Sequence, residues 1–264
     1  MNRFRACVPG LTALLAGTVT ADFSIEAGSN FNGPTHARVH EILEPVHDLL
    51  IRSFGSTPRH PIQVYVRPQG PKVDLVRNVQ RIGLSAQQHF YMQYAYQFAH
   101  EMGHVLTNWQ DSDEYRFKWF EEALCELASL YIIHSFAQSR PYGVFSNEQW
   151  LDYLNTVESN QVDARWRIHR IDSTTRTRSW FPRFQRAMER NSLIRELNGA
   201  IAFELLPYFV ERPELWEAVA YVNRWDTSRD RSFNDYLSSW TVTLVQNGEN
   251  VDAARLVGTV IYGR

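Results

Sequence analysis

The five residues His100-Glu101-Met102-Gly103-His104 set two imidazoles four positions apart, with a carboxylate directly after the first. On a helix, positions i and i+4 share one face about a turn apart, so both rings can reach a single ion. The chemistry this suits is that of zinc (Zn2+), which in catalytic sites takes three protein ligands and keeps a fourth position for water. Glu101 points off the ligand pair and is the expected general base, accepting a proton from water that the metal acidifies. A third ligand must come from elsewhere.

The segment Trp119-Phe120-Glu121-Glu122-Ala123-Leu124-Cys125-Glu126 supplies candidates, with carboxylates 17 and 18 residues beyond His104. By spacing alone either Glu121 or Glu122 can approach the ion. Together the two segments resemble the gluzincin group of zinc metallopeptidases, the thermolysin-like enzymes and zinc aminopeptidases, whose HExxH helix is followed by a ligand Glu on the next helix. The aminopeptidase branch carries Trp three residues before that Glu, as Trp119 stands before Glu122. The resemblance therefore implies His100, His104 and Glu122 as metal ligands and Glu101 as the catalytic base. It also implies that Glu126, one helical turn beyond Glu122, hydrogen-bonds a ligand imidazole, fixing its tautomer.

The activity so implied is hydrolysis of peptide bonds in a peptide or protein substrate. Two departures stand against a full match. Aminopeptidase-like members place a Tyr three positions before a Gly-Ala pair to stabilise the oxyanion, and Glu196 occupies that place before Gly199-Ala200. A Gly-rich anchor for a free amino terminus is not found, so exopeptidase specificity is unsupported. Tyr142, Tyr153, Tyr208, His134 and His169 are the alternative oxyanion donors. The competing expectation is a catalytically weak or inactive zinc-bearing domain that serves as a peptide- or protein-binding module.

The elements that must position these residues follow from periodicity. Val39, Ile42, Leu43, Val46, Leu49, Leu50 and Phe54 repeat at helical spacing after Thr35 and stop at Gly55, with a bend expected at Pro45. Ile62 to Val66 alternates as a strand, and a second strand is expected over Asp74 to Ile82. The resemblance implies that the latter is an edge strand able to pair with extended substrate. Ser85 and Gln88 form a capping-box pattern that predicts the start of the motif helix. The next helix is expected over Lys118 to Phe136. From Ala137 to Arg190 only short helices are expected, at Asn147 to Leu154 and Arg183 to Arg190. Helices resume at Ser192 to Val210, Pro213 to Asn223 and Ser232 to Leu244. The fold class predicted is α+β, a small mixed sheet and metal-bearing helices over residues 22–136, then a mainly helical part over 137–264.

Composition narrows the partners. A net charge of -2 gives no global attraction for nucleic acid or an anionic membrane, and no nucleic-acid partner is expected. The chain holds only two lysines, Lys72 and Lys118, so Arg is its general cation, and the Arg-rich stretch from Arg165 to Arg190, with Trp166 and Trp180, reads as a solvated polar insertion. His36, His40 and His47 fall on one helix face, but no carboxylate or Cys ligand accompanies them at a recognised spacing, so a solvated face is preferred over a second metal site. Arg3 and Arg5 precede an apolar run ending in Val19-Thr20-Ala21, which predicts a signal peptide over residues 1–21 and a secreted or periplasmic mature chain from Asp22. That cleavage removes Cys7 and leaves Cys125 alone, without a disulfide partner. No run is long enough to span a bilayer.

Overall fold

The computed structural model describes residues 23–108, 115–138 and 145–263. The expected signal segment and Tyr142 lie outside them. The order is β1 (Phe23–Ile25), α1 (His36–Phe54), β2 (Ile62–Val66), β3 (Lys72–Val76), β4 (Val79–Leu84), α2 (Tyr91–Leu106) and α3 (Lys118–Gln138). Then come α4 (Asn147–His169), α5 (Thr177–Arg190), α6 (Arg195–Glu211), α7 (Leu215–Val219), a 3-10 turn at Thr227–Arg229, α8 (Phe233–Gln246) and α9 (Asp252–Tyr262). The described residues are 62% helical with one four-stranded mixed sheet, the α+β class with a mainly helical C-terminal half.

Strand order is β1-β2-β4-β3, with β1, β2 and β4 parallel and β3 antiparallel to β4 at the edge. The expected single strand from Asp74 to Ile82 is thus a hairpin. Its two-residue turn, Arg77-Asn78, has positive φ at both positions, 50° and 61°. Such a turn matches the twist of the paired strands but favours Gly, Asn or Asp, and Arg77 concealed it in the sequence. Val76 opposite Val79 closes the hairpin, so Val73 and Leu75 fall at the alternate positions whose N–H and C=O point off the edge. The Gln80 N–H bonds Pro61 on the β2 side, which fixes the same parity.

The motif helix starts later than the Ser85 pattern suggested. Gln88 has a φ of 54°, which no helix accepts, and the side-chain carbonyl of Gln97 on α2 instead receives the Ser85 and Ala86 amides, both at 2.9 Å. Helix α2 therefore begins at Tyr91 with no side-chain cap. Helix α4 runs unbroken to His169 behind a capping box of Ser146 and Gln149, where only a short helix was expected. Its exposed side is too polar to display a helical apolar period. The Pro213–Asn223 segment is helical only over Leu215–Val219, and β1 and α9 were not expected.

Helix α3 is apolar nearly all round and is the centre of the core, packed by α2, α4 and α6. Its first turn is locked by aromatic contacts of Trp119 with Phe120, Phe181 and Phe233. Within the Arg-rich stretch, Trp180 belongs to this core and Arg165 is buried, while Arg167, Arg170, Arg178, Arg183, Arg186 and Arg190 are solvated as expected. Among the described residues no helix is long and apolar enough to cross a membrane.

The approach of α2 to α3 depends on Gly103. A Cβ there would meet the Cys125 Cα and Sγ at 3.0 Å each. Cys125 is held in the most buried helix, so the neighbour cannot yield without moving α3. We expect Gly103→Ala to be net destabilising: helix propensity gains about 1 kcal/mol, but overpacking costs about 1–3 kcal/mol. Denaturant midpoints check this, and a stabilised variant would show that the helices have slack.

Candidate metal centre

One turn of α2 and the first two turns of α3 face each other across that contact. Position 100 and position 104 share a face of α2, and their rings lie 5.2 Å apart. Glu122 reaches both from α3: its carboxylate oxygens stand 3.3 Å from His100 Nε2 and 3.8 Å from His104 Nε2. One donor atom from each of the three lies within 4.8 Å of the others, so the group can hold a metal ion. Ligand atoms at ~2.0–2.1 Å from a tetrahedral zinc are ~3.3 Å from one another, so the donors, within 4.8 Å here, would draw in somewhat around an ion. Among the described residues no other group of His, Cys, Asp and Glu converges in this way.

The other ring nitrogens each face a carboxylate, one within hydrogen-bond distance and one beyond it. His104 Nδ1 lies 2.6 Å from Glu121 Oε1, and His100 Nδ1 lies 3.7 Å from Glu126 Oε2. An imidazole that gives its Nδ1 proton to a carboxylate presents a lone pair at Nε2, the nitrogen that faces Glu122 in both rings. The two adjacent glutamates are thereby separated. Successive helix residues differ by about 100° in direction, which carries Glu121 to the back of His104 and Glu122 to the front. Glu126 stands beside His100 but at 3.7 Å does not make the hydrogen bond that the resemblance implied; its Oε1 is the acceptor for the Tyr96 hydroxyl and, at 3.5 Å, the Gln161 amide.

Glu101 is buried beside the cluster and lies against the backbone of Val73 at the outward-facing edge of β3. Burial raises its carboxyl above the usual range, while charge on His100 and His104 and the Val73 backbone pull it down. Burial opposes charge on His100 too, but the carboxylates of Glu122 and Glu126 outweigh it and raise that ring to about 10. His104 is shifted up in the same manner, by Glu122 and Glu121 against burial. For Glu122 burial is overcome by His104 and His100, which bring its carboxyl down to about 2.

Of the alternative oxyanion donors, Tyr153 is the one brought toward the cluster, its ring 6.1 Å from that of Tyr96 and its hydroxyl raised to about 12 by burial and by Glu126. His134 sits on α3 three turns beyond Glu122, about 18 Å along the axis. Tyr208 lies exposed on α6, and His169 is turned to Glu196, Nε2 to Oε2 3.8 Å. The three histidines of α1 do not converge, but neither do they form the solvated face expected of them: His36 bonds the Ser29 carbonyl at 2.6 Å, His40 stacks half-buried on Phe23, and His47 is buried.

Sequence reasoning missed Tyr96, Tyr115, Asn223 and Tyr236, which support the carboxylates. The Tyr115 hydroxyl and the Asn223 amide both donate to Glu121 Oε2, the latter at 2.6 Å, and the Tyr236 hydroxyl donates to Asn223 Oδ1 at 2.7 Å. An Asn or Tyr far along the chain carries no local signal of such a role.

The chain matches no protein-family model, no curated protein and no solved structure.

Ligation requires neutral rings, so a metal must displace the proton that His100 holds up to about pH 10 in the metal-free protein. We expect zinc affinity to rise with pH by about tenfold per unit for each proton displaced, with proton release visible as buffer-dependent binding heat near pH 7. For the metal-free chain the signs are opposite on the two partners. The His100 contribution to stability is complete below its usual 6.5 and is lost as pH rises through about 10. That of Glu122 is complete above 4.5 and is lost as pH falls through about 2. Buffer-independent binding heat would contradict the charged imidazole.

Proposed function

We propose that this chain is a zinc-dependent metallopeptidase acting within peptide chains, with His100, His104 and Glu122 as metal ligands and Glu101 as general base. The observation that carries the reading is the convergence of those three donors, each imidazole backed by its own carboxylate, beside a buried Glu101 and an open strand edge. The donor set of two imidazoles and a carboxylate fits zinc and leaves one coordination position for water. A zinc ion in such a set supplies Lewis acidity that acidifies water and polarises a peptide carbonyl.

The residues of the chain supply the rest. Glu101 takes the proton from the attacking water and returns it to the leaving amine, and its burial keeps it basic enough for the first step. Glu121 and Glu126 hold the two rings at the orientation that ligation needs. On the outward edge of β3 the Val73 N–H is given to Glu101, and the Val73 C=O with the N–H and C=O of Leu75 can pair with an extended substrate, aligning it past Glu101. Tyr153, whose ring packs edge-on against Tyr96 beside Glu126, offers a hydroxyl from α4 for the developing oxyanion.

A second reading, a zinc-bearing module that holds a peptide without cutting it, is favoured by one observation. Glu196 stands where the resembled aminopeptidases have Tyr, and it is paired with His169 instead of being directed to the cluster. Hydrolysis of a broad peptide library by the zinc-loaded protein separates the two.

Replacing Glu101 with Gln keeps shape and removes the proton acceptor, so Glu101→Gln should hold zinc while peptidase activity falls on the order of a hundred- to ten-thousand-fold. Equal cleavage by the variant would sink this mechanism, and zinc retention without cleavage by either form would favour the binding module. Glu122→Ala should abolish stoichiometric zinc, whereas Glu121→Ala should weaken it by about 10–100-fold. Metal analysis after dialysis reads both, and the reverse order would exchange their roles.

A further inference from the structure

The back of His104 is built by the C-terminal half of the chain. Glu121 is fully buried, and its Oε1 is committed to His104 Nδ1 at 2.6 Å. Its Oε2 is held from two sides, by the Tyr115 hydroxyl and by Asn223 Nδ2 at 2.6 Å, the second from a residue 102 positions away. Asn223 is itself buried, and its amide has one available orientation. A carboxylate oxygen only accepts, so Nδ2 must face Glu121, and Oδ1 is then the acceptor for Tyr236 at 2.7 Å. The same Nδ2 stands 3.0 Å from the Tyr115 oxygen and 3.4 Å from the Thr107 carbonyl at the end of α2.

The loop that carries Asn223 is pinned independently. Asn108, just past α2, donates to the Ala220 and Val222 carbonyls at 2.8 Å each. Asn223 adopts a φ of 62°, a left-handed conformation that Asn tolerates better than other residues with a side chain. Tyr236, which fixes the amide, is fully buried and packs on Phe117, Trp225 and Phe233. The path from α8 to the metal face is thus four directed hydrogen-bonding groups: Tyr236, Asn223, Glu121 and His104.

We propose that Asn223 is a positioning residue of the metal centre, which through Glu121 sets the His104 ring so that the C-terminal half completes a site whose ligands all lie on α2 and α3. This rests on the metal-binding part of the reading above and is independent of whether peptide is cleaved. Without the Asn223 amide, Glu121 Oε2 keeps one donor, and the carboxylate is free to rotate away from His104.

The test uses the full chain, with zinc affinity from chelator competition, the visible spectrum of the cobalt-substituted protein, and metal-free thermal unfolding. Asn223→Ala should lower zinc affinity by about 10–100-fold and alter the cobalt bands, which report ligand orientation. Tyr236→Phe keeps the ring packing and removes only the donor to Oδ1, so it should shift both readouts the same way by less, and it decides the matter if Asn223→Ala does not fold. Wild-type affinity and an unchanged cobalt spectrum in the folded variants, with only thermal stability lowered, would make Asn223 a packing residue and overturn the inference while leaving the metal site standing. A wild-type chain that binds no zinc would overturn both.

Discussion

Everything at the candidate metal centre depends on how closely α2 can lie on α3. Gly103, between the two histidines of the motif, removes the one side chain that would stand between the helices, and Cys125 fills the space on the opposite side. At that separation the imidazoles of one helix meet the carboxylates of the other directly. A helix spacing set by a larger residue would leave Glu122 short of one or both rings, and the donors would no longer share a point.

Close packing creates an electrostatic problem that the surrounding structure answers. Glu101, Glu121, Glu122 and Glu126 come together in a region with little solvent, and a buried carboxylate is costly unless it is paired or hydrogen-bonded. Each has a partner of its own. Glu122 faces both rings, Glu121 takes His104, Tyr115 and Asn223, Glu126 takes Tyr96 and Gln161 and lies near His100, and Glu101 lies against the Val73 backbone. In the metal-free protein the charged imidazoles carry much of the compensation, so a cation that replaces their protons enters a site already arranged for positive charge.

These partners come from the whole chain. The edge strand β3 supplies the backbone at Glu101, α4 supplies Gln161 and the neighbouring Tyr153, and the loop after α7 with α8 supplies Asn223 and Tyr236. The helical C-terminal half, whose described residues supply none of the three candidate donors, therefore does more than cover the core. It holds Glu121 and Glu126 behind the histidines with polar groups, and the direction of Asn223 is fixed by its own partners.

The sequence by itself determined the local part of this arrangement. A four-residue spacing puts His100 and His104 on one face in any helix, the long apolar stretch from Lys118 must be a buried helix, and Thr35, Gly55 and Ser232 mark helix ends through short-range hydrogen bonding or left-handed geometry. Tertiary structure decided what adjacency could not. Glu121 and Glu122 are chemically identical and differ only by a helical rotation, so their separate places came from the packing of α3 about Trp119. The Ser85 pattern lost its helix to Gln97, and the expected strand became a hairpin through a turn without Gly. Asn223 and Tyr236 acquired their places from contacts across more than a hundred positions. Such contacts are fixed by close packing and directed hydrogen bonds between distant segments, and no short-range pattern encodes them.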